Sequence, residues 1–207
     1  MFQDDLKNVI DTISKEHISI NLEFKNTINL KKKTLRRSYE EGTLIESILA
    51  YMDFLNENKD AISFRLNLFR FQTDYILKVE SRVKQNNSAL YKIDRYISQD
   101  SGGNNPINKC FNDLFGCRII VNNNYELEYL LSQINMLYPN LKHIDASKNG
   151  YKAIHIYFHN GNFVFPWELQ IWLQKDEENN RKSHKLYKQG YITWEQKHHE
   201  ARKNIYN

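Results

Sequence analysis

The sequence predicts an α+β protein in which a mixed β-sheet is flanked by helices and preceded by a helical N-terminal region. Apolar residues recur at helical spacing through the first third of the 207-residue chain. From Tyr75 onward, several segments instead alternate between apolar and polar side chains, which is typical of half-buried strands. Apolar residues make up 41% of the chain and charged residues 26%, as in a globular protein rather than a disordered one.

The helical N-terminal region is predicted to cover residues 1–74. Helical spacing of apolar side chains extends over 2–17 and 43–73, and a short extended piece is possible at Ile18 to Phe24. A basic cluster lies between the two helical segments and consists of Lys31, Lys32, Lys33, Arg36 and Arg37. We expect this region to pack on the same domain as the sheet that follows.

Four strands are predicted after residue 74, at 75–83, 116–121, 151–158 and 163–173. Helices are expected at 88–97, 125–137 and 176–206, with a loop at 101–106. One face of the last predicted strand is apolar and carries Phe163, Phe165, Trp167, Leu169 and Ile171, whereas the other carries Glu168 and Gln170. The chain is therefore expected to divide into the helical region 1–74, a core of 75–188 and a C-terminal helix of 189–207.

The composition excludes several classes of protein. No stretch reaches the about 18 to 20 uninterrupted apolar residues that span a bilayer, and the acidic residues between Met1 and Lys15 are wrong for a secretory signal. Cys110 and Cys117 lack the spacing and the His partners of a zinc site. We therefore expect a cytoplasmic protein with ordinary thiols. The net charge of +4 is too mild to indicate nucleic-acid binding by itself.

Three cations and a hydroxyl lie close together where the first predicted strand leads into a helix. Arg82 and Lys84 are two residues apart on the strand and so project from one face. Ser88 falls at the start of the helix, where free N–H groups favour an anion, and Lys92 follows one turn later. This arrangement can hold a polyphosphate, although a solvated charged face is the alternative interpretation.

Asp113 and Glu168 are acidic residues at or near the ends of two predicted strands that are far apart in sequence. In a sheet-based site, such a pair can hold Mg²⁺ against ATP phosphates, and one carboxylate can accept a proton from an attacking hydroxyl. The alternative is that both are surface residues.

An Asn-Gly turn precedes Tyr151, Ala153 and His155, which share one face of the predicted strand that follows. An aromatic ring and an imidazole on a polar face suit base stacking and phosphate contact. Alternatively, both side chains are satisfied within a core.

Four motifs occur in the order found in the synthetase domain of the RelA/SpoT family, and this chain resembles the small, single-domain alarmone synthetases of that family. They are Arg-x-Lys-x3-Ser-x3-Lys at 82–92, Asp-Leu-x-Gly-x-Arg at 113–118, Asn-Gly-Tyr-x-x-x-His at 149–155 and Glu-x-Gln-Ile at 168–171. The segment 183–188 is also similar to the family's Glu-His-x-Leu-x-Tyr-Lys. The match covers roughly 75–188 and implies a nucleotidyltransferase-like mixed sheet flanked by helices.

The resemblance implies a pyrophosphokinase that uses ATP as its donor. An acceptor 3′-oxygen would attack the β-phosphorus of ATP, and AMP would leave. Arg82 and Arg118 would sandwich the adenine ring. The triphosphate would be gripped by Lys84, Ser88 and Lys92.

The resemblance also implies a magnesium ion and an acceptor site. Asp113 and Glu168 would bind Mg²⁺, with Glu168 as the base for the acceptor 3′-oxygen. Tyr151 would stack on the acceptor base, while His155 and Gln170 would orient the acceptor. Catalysis would come mainly from positioning and charge neutralisation.

The acceptor side departs from the family pattern, whereas the donor side does not. The family has Lys four residues before the Tyr, but this chain has Ser147 there, and Lys148 one place later becomes the acceptor-binding candidate. The family's Glu-Ile-Gln-Ile-Arg-Thr reads Glu-Leu-Gln-Ile-Trp-Leu at 168–173. Loss of a charge-assisted contact to a phosphate costs about 1.5 to 3 kcal/mol. The departure therefore favours an acceptor without a 5′-polyphosphate, such as the terminal adenosine of tRNA.

A toxin branch of the family is similar in size to this chain and modifies the 3′-CCA end of tRNA, which blocks aminoacylation and hence translation. In this interpretation the basic cluster contacts the tRNA backbone, because phosphate binding needs cations but no particular bases. The cluster is otherwise a solvated helix face. The resemblance to the toxin branch also implies a neutralising antitoxin protein.

Two other functions stay open at this point. One is an alarmone synthetase that acts on GDP or GTP. The other is a catalytically dead relic of the fold that binds nucleic acid, and the intact Arg82, Lys84, Asp113 and Glu168 argue against it.

Overall fold

The computed structural model describes residues 2–66, 71–98, 101–186 and Thr193. Helices in this part of the chain are α1 (Phe2–Glu23), α2 (Leu35–Glu40), α3 (Thr43–Glu57), α4 (Lys59–Leu66), α5 (Asn86–Ser98), α6 (Ile107–Cys110), α7 (Leu127–Leu137) and α8 (177–186). The strands are β1 (Ile76–Val83), β2 (Phe115–Val121), β3 (Lys142–Asp145), β4 (Ile154–Phe158) and β5 (Trp167–Leu173). The predicted α+β class is confirmed. None of the described helices is long and apolar enough to cross a bilayer.

The strands form one mixed sheet in the order β1-β2-β5-β4-β3. β2 and β5 run parallel to each other, and every other neighbouring pair is antiparallel. The end of β1 therefore lies at the same edge of the sheet as the starts of β2 and β5. Arg82 of β1 and Glu168 of β5, two of the predicted site residues, lie near this edge.

The N-terminal helices and one face of the sheet share a single apolar core. Trp167, Leu169 and Ile171 of β5 are fully buried in it together with the apolar stripes of α1 and α3. The indole of Trp167 donates a hydrogen bond of 2.7 Å to the hydroxyl of Tyr51 on α3. The helical region thus packs on the sheet, while the proposed boundary between residues 74 and 75 stays a prediction.

The extended piece considered possible at Ile18 to Phe24 is instead part of α1 as far as Glu23, because the buried stripe continues through His17 and Ile20. Within the described residues, the helical segment predicted over 43–73 contains α3 and α4, which are separated at Asn58. The side-chain amide of Asn58 donates to the carbonyl oxygen of Phe54, which ends α3.

All four predicted strands are present; β1 and β2 match the prediction within one residue, whereas β4 and β5 are shorter than predicted. β4 begins at Ile154 and β5 at Trp167, and Phe163, predicted to face the core, is 49% exposed. β3 is a short edge strand that the sequence did not indicate, because its four residues are mostly exposed and do not alternate. The alternation in β1 is broken by a bulge between Ile76 and Lys78, and Ile76 is fully buried. Most of the helix predicted over 176–206, and the segment 189–207 apart from Thr193, lie outside the described residues.

Candidate active site

The second face of the sheet, which carries Glu168, Gln170 and Trp172 of β5, is the candidate active face. Strand pairing places four residues side by side in a row across this face: Arg82, Gly116, Glu168 and Tyr157. The next row consists of Glu80, Arg118, Gln170 and His155. Directly opposed residues on neighbouring strands project from the same face, so these two rows bring polar side chains from four strands together.

A cavity of about 720 Å³ lies where the active face meets α5 and α8. Its walls include the predicted phosphate-binding and carboxylate residues Arg82, Lys84, Ser88, Lys92, Asp113 and Glu168. The predicted acceptor residues Lys148, Tyr151, His155 and Gln170 also line it. The structure therefore brings both predicted halves of the site to one cavity that is large enough for small-molecule substrates.

Asp113 joins the two lysines of the first motif. Lys84 Nζ lies 2.6 Å from Asp113 Oδ2, and Lys92 Nζ lies 2.9 Å from Oδ1. Burial acts to raise the pKa of Asp113, but the charges of Lys92 and Lys84 outweigh it and hold this pKa well below its usual range. Burial also lowers the pKa of Lys84, an effect that the charge of Asp113 opposes. Two cations are thus held side by side against the cavity by a single carboxylate.

Glu168 is nearly buried at the floor of the cavity and is held by two neighbours. His155 Nδ1 lies 3.0 Å from Glu168 Oε1, and Gln170 Nε2 donates to Oε2 across 2.7 Å. Burial acts to raise the pKa of Glu168, but the hydrogen bond and charge of His155 outweigh it, so this pKa is lowered. The carboxylate is therefore ionised and fixed in orientation.

The hydroxyl of Tyr151 lies 2.7 Å from His155 Nε2 and accepts a hydrogen bond of 3.1 Å from the indole of Trp172. Because a carboxylate can only accept, the Nδ1–H of His155 donates toward Glu168. Burial raises the pKa of Tyr151 to about 12. The Tyr151 ring is consequently fixed beside the cavity as a neutral phenol.

The turn before Tyr151 has the form that its Asn-Gly sequence predicts. Asn149 and Gly150 both have positive φ angles, of 52° and 83°, and Lys148 and Tyr151 exchange two backbone hydrogen bonds across them. Only residues that tolerate left-handed backbone suit such a type I′ turn. The turn places Lys148 at the wall of the cavity.

Arg118 lies at the side of the cavity rather than among its lining residues. Its guanidinium donates to Gln170 Oε1 and Glu80 Oε2, and its central carbon lies 3.6 Å from the ring centre of Trp172. Arg82, which is exposed, shares two smaller pockets with Arg118. The two arginines are diagonal neighbours on β1 and β2, which is compatible with the predicted adenine sandwich.

Sequence reasoning missed the part that three aromatic residues play in this site. Tyr157 follows His155 by two residues on β4, so strand alternation alone could have placed it on the active face. Trp172 follows Gln170 on β5 in the same way. His184 of α8 lies against both Trp172 and Tyr151, with ring centres 5.4 and 5.5 Å apart, and no pattern in the sequence indicated this contact.

Two carboxylates of the kind that bind Mg²⁺ face the cavity, and both oxygens of one of them, Asp113, are paired with lysines. Asp113 and Glu168 both face the cavity, and Mg²⁺ in nucleotide sites is commonly bound by one or two carboxylates together with substrate phosphates. A complete protein cage of three or more His, Cys, Asp or Glu residues is absent from the described part of the chain. The donor set therefore fits an ion that arrives with a polyphosphate, and Asp113 and Glu168 are the residues that would hold it.

The predicted basic cluster is positioned by the turn before α2 and by α2 itself. Lys33 and Arg37 both pair with Glu41, and Arg36 donates to the backbone oxygen of Gly102. Lys31 and Lys32 are exposed. None of the five is among the described residues that line the cavity. Their role in tRNA binding stays a prediction.

No protein-family model matches this chain, and no curated protein matches it. The chain is similar at low identity to crystal structures of small alarmone synthetases from Bacillus subtilis. Small alarmone synthetase 1 bound to its product pppGpp is 18% identical over 82% of this chain and 98% of that chain, with a TM-score of 0.43. Another structure of the same enzyme is 20% identical over 69% and 81%, with a TM-score of 0.44. Small alarmone synthetase 2 is 20% identical over 72% and 80%, with a TM-score of 0.39.

Proposed function

We propose that this protein is a magnesium-dependent pyrophosphokinase that transfers the β,γ-pyrophosphate of ATP to the 3′-hydroxyl of a nucleotide or an RNA end. The observation that carries the proposal is that Lys84 and Lys92 converge on Asp113 in the same cavity that holds Glu168 and Tyr151. A cavity with paired cations at one wall and a fixed carboxylate and aromatic ring at another suits phosphate transfer to a hydroxyl.

The donor half would bind ATP through its phosphates and its base. Lys84 and Lys92, with the Ser88 hydroxyl on the first turn of α5, would contact the triphosphate. Arg82 and Arg118 would stack on the two faces of adenine. Because Asp113 holds the two ammonium groups in place before ATP arrives, little reorganisation accompanies phosphate binding.

The acceptor half would bring a 3′-hydroxyl toward the β-phosphorus. Tyr151 would stack on the acceptor base, and His155, Gln170 and Lys148 would orient the acceptor. The 3′-oxygen would form a bond to the β-phosphorus while the bond to the α-phosphate oxygen breaks and AMP leaves. Glu168 would take the proton of the attacking hydroxyl. Asp113 and Glu168 would hold Mg²⁺, which would supply charge neutralisation.

We infer that the acceptor is the 3′-CCA end of tRNA, so that the protein would inhibit translation as the toxin of a toxin–antitoxin pair. Ser147 and Trp172 stand where the resembling family has cations, and Trp172 is fully buried with an apolar side chain. A terminal adenosine has no 5′-polyphosphate that needs those cations. The exposed Lys31 and Lys32 would contact the tRNA backbone, and an antitoxin protein remains an expectation of this proposal.

A second candidate function is (p)ppGpp synthesis from GDP or GTP. Lys148 favours it, because this cation reaches the wall of the cavity from the turn just before Tyr151 and can meet a 5′-diphosphate. The two candidates share the donor, the metal and the chemistry, and they differ in the acceptor alone.

One assay distinguishes these candidates. The purified protein is incubated with Mg²⁺ and γ-³²P-ATP, and GDP, GTP or deacylated bulk tRNA is added separately. Label on tRNA but not on guanosine nucleotides supports the tRNA proposal, whereas label on GDP or GTP identifies an alarmone synthetase. Transfer to none of the three contradicts the pyrophosphokinase assignment. Glu168→Gln serves as the inactive control.

A further inference from the structure

Trp172 lies on the active face, at the end of β5 away from Glu168, and its side chain is fully buried. It forms a small apolar cluster with Ile120 and Ala153, separate from the main core. Trp172 is not among the residues that line the main cavity, but two of its neighbours belong to the proposed donor and acceptor sites. These neighbours are Arg118 and Tyr151.

On one side, the Trp172 ring is covered by the guanidinium of Arg118, whose central carbon is 3.6 Å from the ring centre. In-plane hydrogen bonds to Gln170 and Glu80 fix the same guanidinium. A flat cation that is stacked and hydrogen-bonded in this way keeps one orientation.

On the other side, the Trp172 indole donates to the Tyr151 hydroxyl across 3.1 Å, and the two rings meet edge to face at 5.9 Å. The second hydrogen bond of that hydroxyl goes to His155. Loss of the indole N–H would leave the phenol held at one point instead of two.

We propose that Trp172 is a positioning residue that holds the donor-side Arg118 and the acceptor-side Tyr151 in one rigid arrangement. Its ring orients the arginine through stacking, and its N–H orients the tyrosine through a hydrogen bond. This inference rests on the proposed function, because it assigns Arg118 to the donor and Tyr151 to the acceptor. The family pattern has an Arg at position 172, so the arrangement is a property of this chain's own sequence.

Trp167 provides a matched control on the same strand. It is fully buried like Trp172, and its indole also donates to a tyrosine hydroxyl, that of Tyr51, but it lies on the opposite face in the main core. Trp167→Phe therefore removes an equivalent hydrogen bond without touching Arg118 or Tyr151.

The test compares Trp172→Phe, Trp172→Leu and Trp167→Phe, each checked for folding by circular dichroism. Trp172→Phe keeps a ring beneath Arg118 but loses the N–H, so we expect KM for the acceptor to rise roughly fivefold and KM for ATP to stay within about twofold. Trp172→Leu loses both interactions, so we expect affinity for a non-hydrolysable ATP analogue to fall roughly tenfold as well. Trp167→Phe should change neither value more than about twofold, although it lowers the unfolding temperature.

A double-mutant cycle keeps the test decisive if Trp172→Leu does not fold. The double variant Trp172→Phe/Tyr151→Phe should have the same KM for the acceptor as Tyr151→Phe alone. The reason is that Tyr151→Phe has already removed the hydroxyl to which the Trp172 indole donates. The proposal is overturned if the Trp172 variants change the two substrate affinities no more than Trp167→Phe does. Calorimetric titration of the ATP analogue distinguishes a failure of the proposed function from a failure of the role assigned to Trp172. Wild-type protein that binds no analogue refutes the proposed function, whereas equal binding by wild type and Trp172→Leu refutes the role of Trp172.

Discussion

Lys84 and Asp113 form an ion pair of 2.6 Å at the edge of the sheet where β1 has just ended and β2 is about to begin. Lys92 of α5 forms a second ion pair, with the other carboxylate oxygen of Asp113. All three side chains are largely shielded from solvent, so neither lysine is effectively screened from the other by water. Asp113 consequently stabilises a pair of like charges that a polyphosphate could also neutralise.

Asp113→Asn should therefore destabilise the free protein by about 3 kcal/mol, because it leaves two shielded cations without their anion. A triphosphate can replace the lost charge, so an ATP analogue should raise the unfolding temperature of the variant more than that of wild type. Pyrophosphate transfer should fall at least about 100-fold, since the variant lacks a proposed metal ligand.

Glu41→Gln is the matched control, because Glu41 also joins two cations, Lys33 and Arg37, but at the exposed surface. Its destabilising effect should be much smaller than that of Asp113→Asn and should not depend on ATP. Equal urea unfolding curves for wild type and Asp113→Asn without ligand would show that the buried arrangement contributes nothing to stability.

Gly116 leaves a gap in the row of the active face between Arg82 and Glu168. A Cβ at this position would lie 3.8 Å from the backbone oxygen of Glu168, an ordinary contact, so Gly116→Ala should fold normally. Gly116→Leu would extend into the gap and should raise KM for ATP roughly tenfold. Steady-state kinetics on both variants, with unfolding curves as a check on folding, test this. Unchanged ATP kinetics in Gly116→Leu would mean that ATP does not occupy this gap.

Most of the cavity lining could be predicted from the sequence because alternation along a strand fixes which side chains share a face. The pairs Arg82 with Lys84 and Glu168 with Gln170 are of this kind, and each pair lines the cavity. The Asn-Gly turn was predictable as well, because few residue pairs adopt two successive positive φ angles.

Contacts that depend on register between strands could not be predicted. Arg118 stacks on Trp172 because β2 and β5 pair in a register that sets Arg118 opposite Gln170, and a slip of one residue would place the two side chains on opposite faces. The contacts of His184 depend in addition on how α8 docks, which Asn180 fixes through two hydrogen bonds to the backbone of Lys152. Neither relationship leaves a local pattern in the sequence.

Ser147→Lys should improve the use of a guanosine 5′-diphosphate acceptor. Ser147 is exposed beside Lys148, and its backbone N–H bond to Asp145 does not involve the side chain, so the change should not disturb the turn. A restored charge-assisted contact of about 1.5 kcal/mol corresponds to roughly a tenfold gain in kcat/KM for GDP. Ser147→Met, which matches the length without the charge, should show no gain. An equal gain in the Met variant would attribute the effect to bulk rather than charge.

Lys31→Ala combined with Lys32→Ala should weaken tRNA modification without affecting GDP. The two side chains are exposed, so the variant should remain as stable as wild type. If both contact phosphates, the slope of log affinity for tRNA against log salt should decrease in magnitude by about 2. Lys7→Ala combined with Lys59→Ala removes the same charge elsewhere and should leave the slope unchanged. Identical salt slopes for all three proteins would refute the tRNA role of the basic cluster.

His17 should make the protein less stable in mild acid. Its Nε2 donates to the backbone oxygen of Phe165 across 2.9 Å, and its Nδ1 accepts from Asn160, so the buried ring is neutral. Burial lowers the pKa of His17 from 6.5 to about 4. His17 therefore binds a proton more readily in the unfolded chain than in the folded one. This difference stabilises the folded state by roughly 3 kcal/mol above pH 6.5, and the stabilisation is lost as the pH falls toward 4.

Urea unfolding at pH values between 7.5 and 4.5 measures this loss, and His17→Gln isolates it from the other groups that titrate. The amide of Gln can still donate to the Phe165 oxygen but takes up no proton in this range. The variant should therefore be less stable than wild type at pH 7.5 and should lose less stability on acidification. If the two proteins show the same dependence on pH, His17 is not the group whose protonation destabilises the fold.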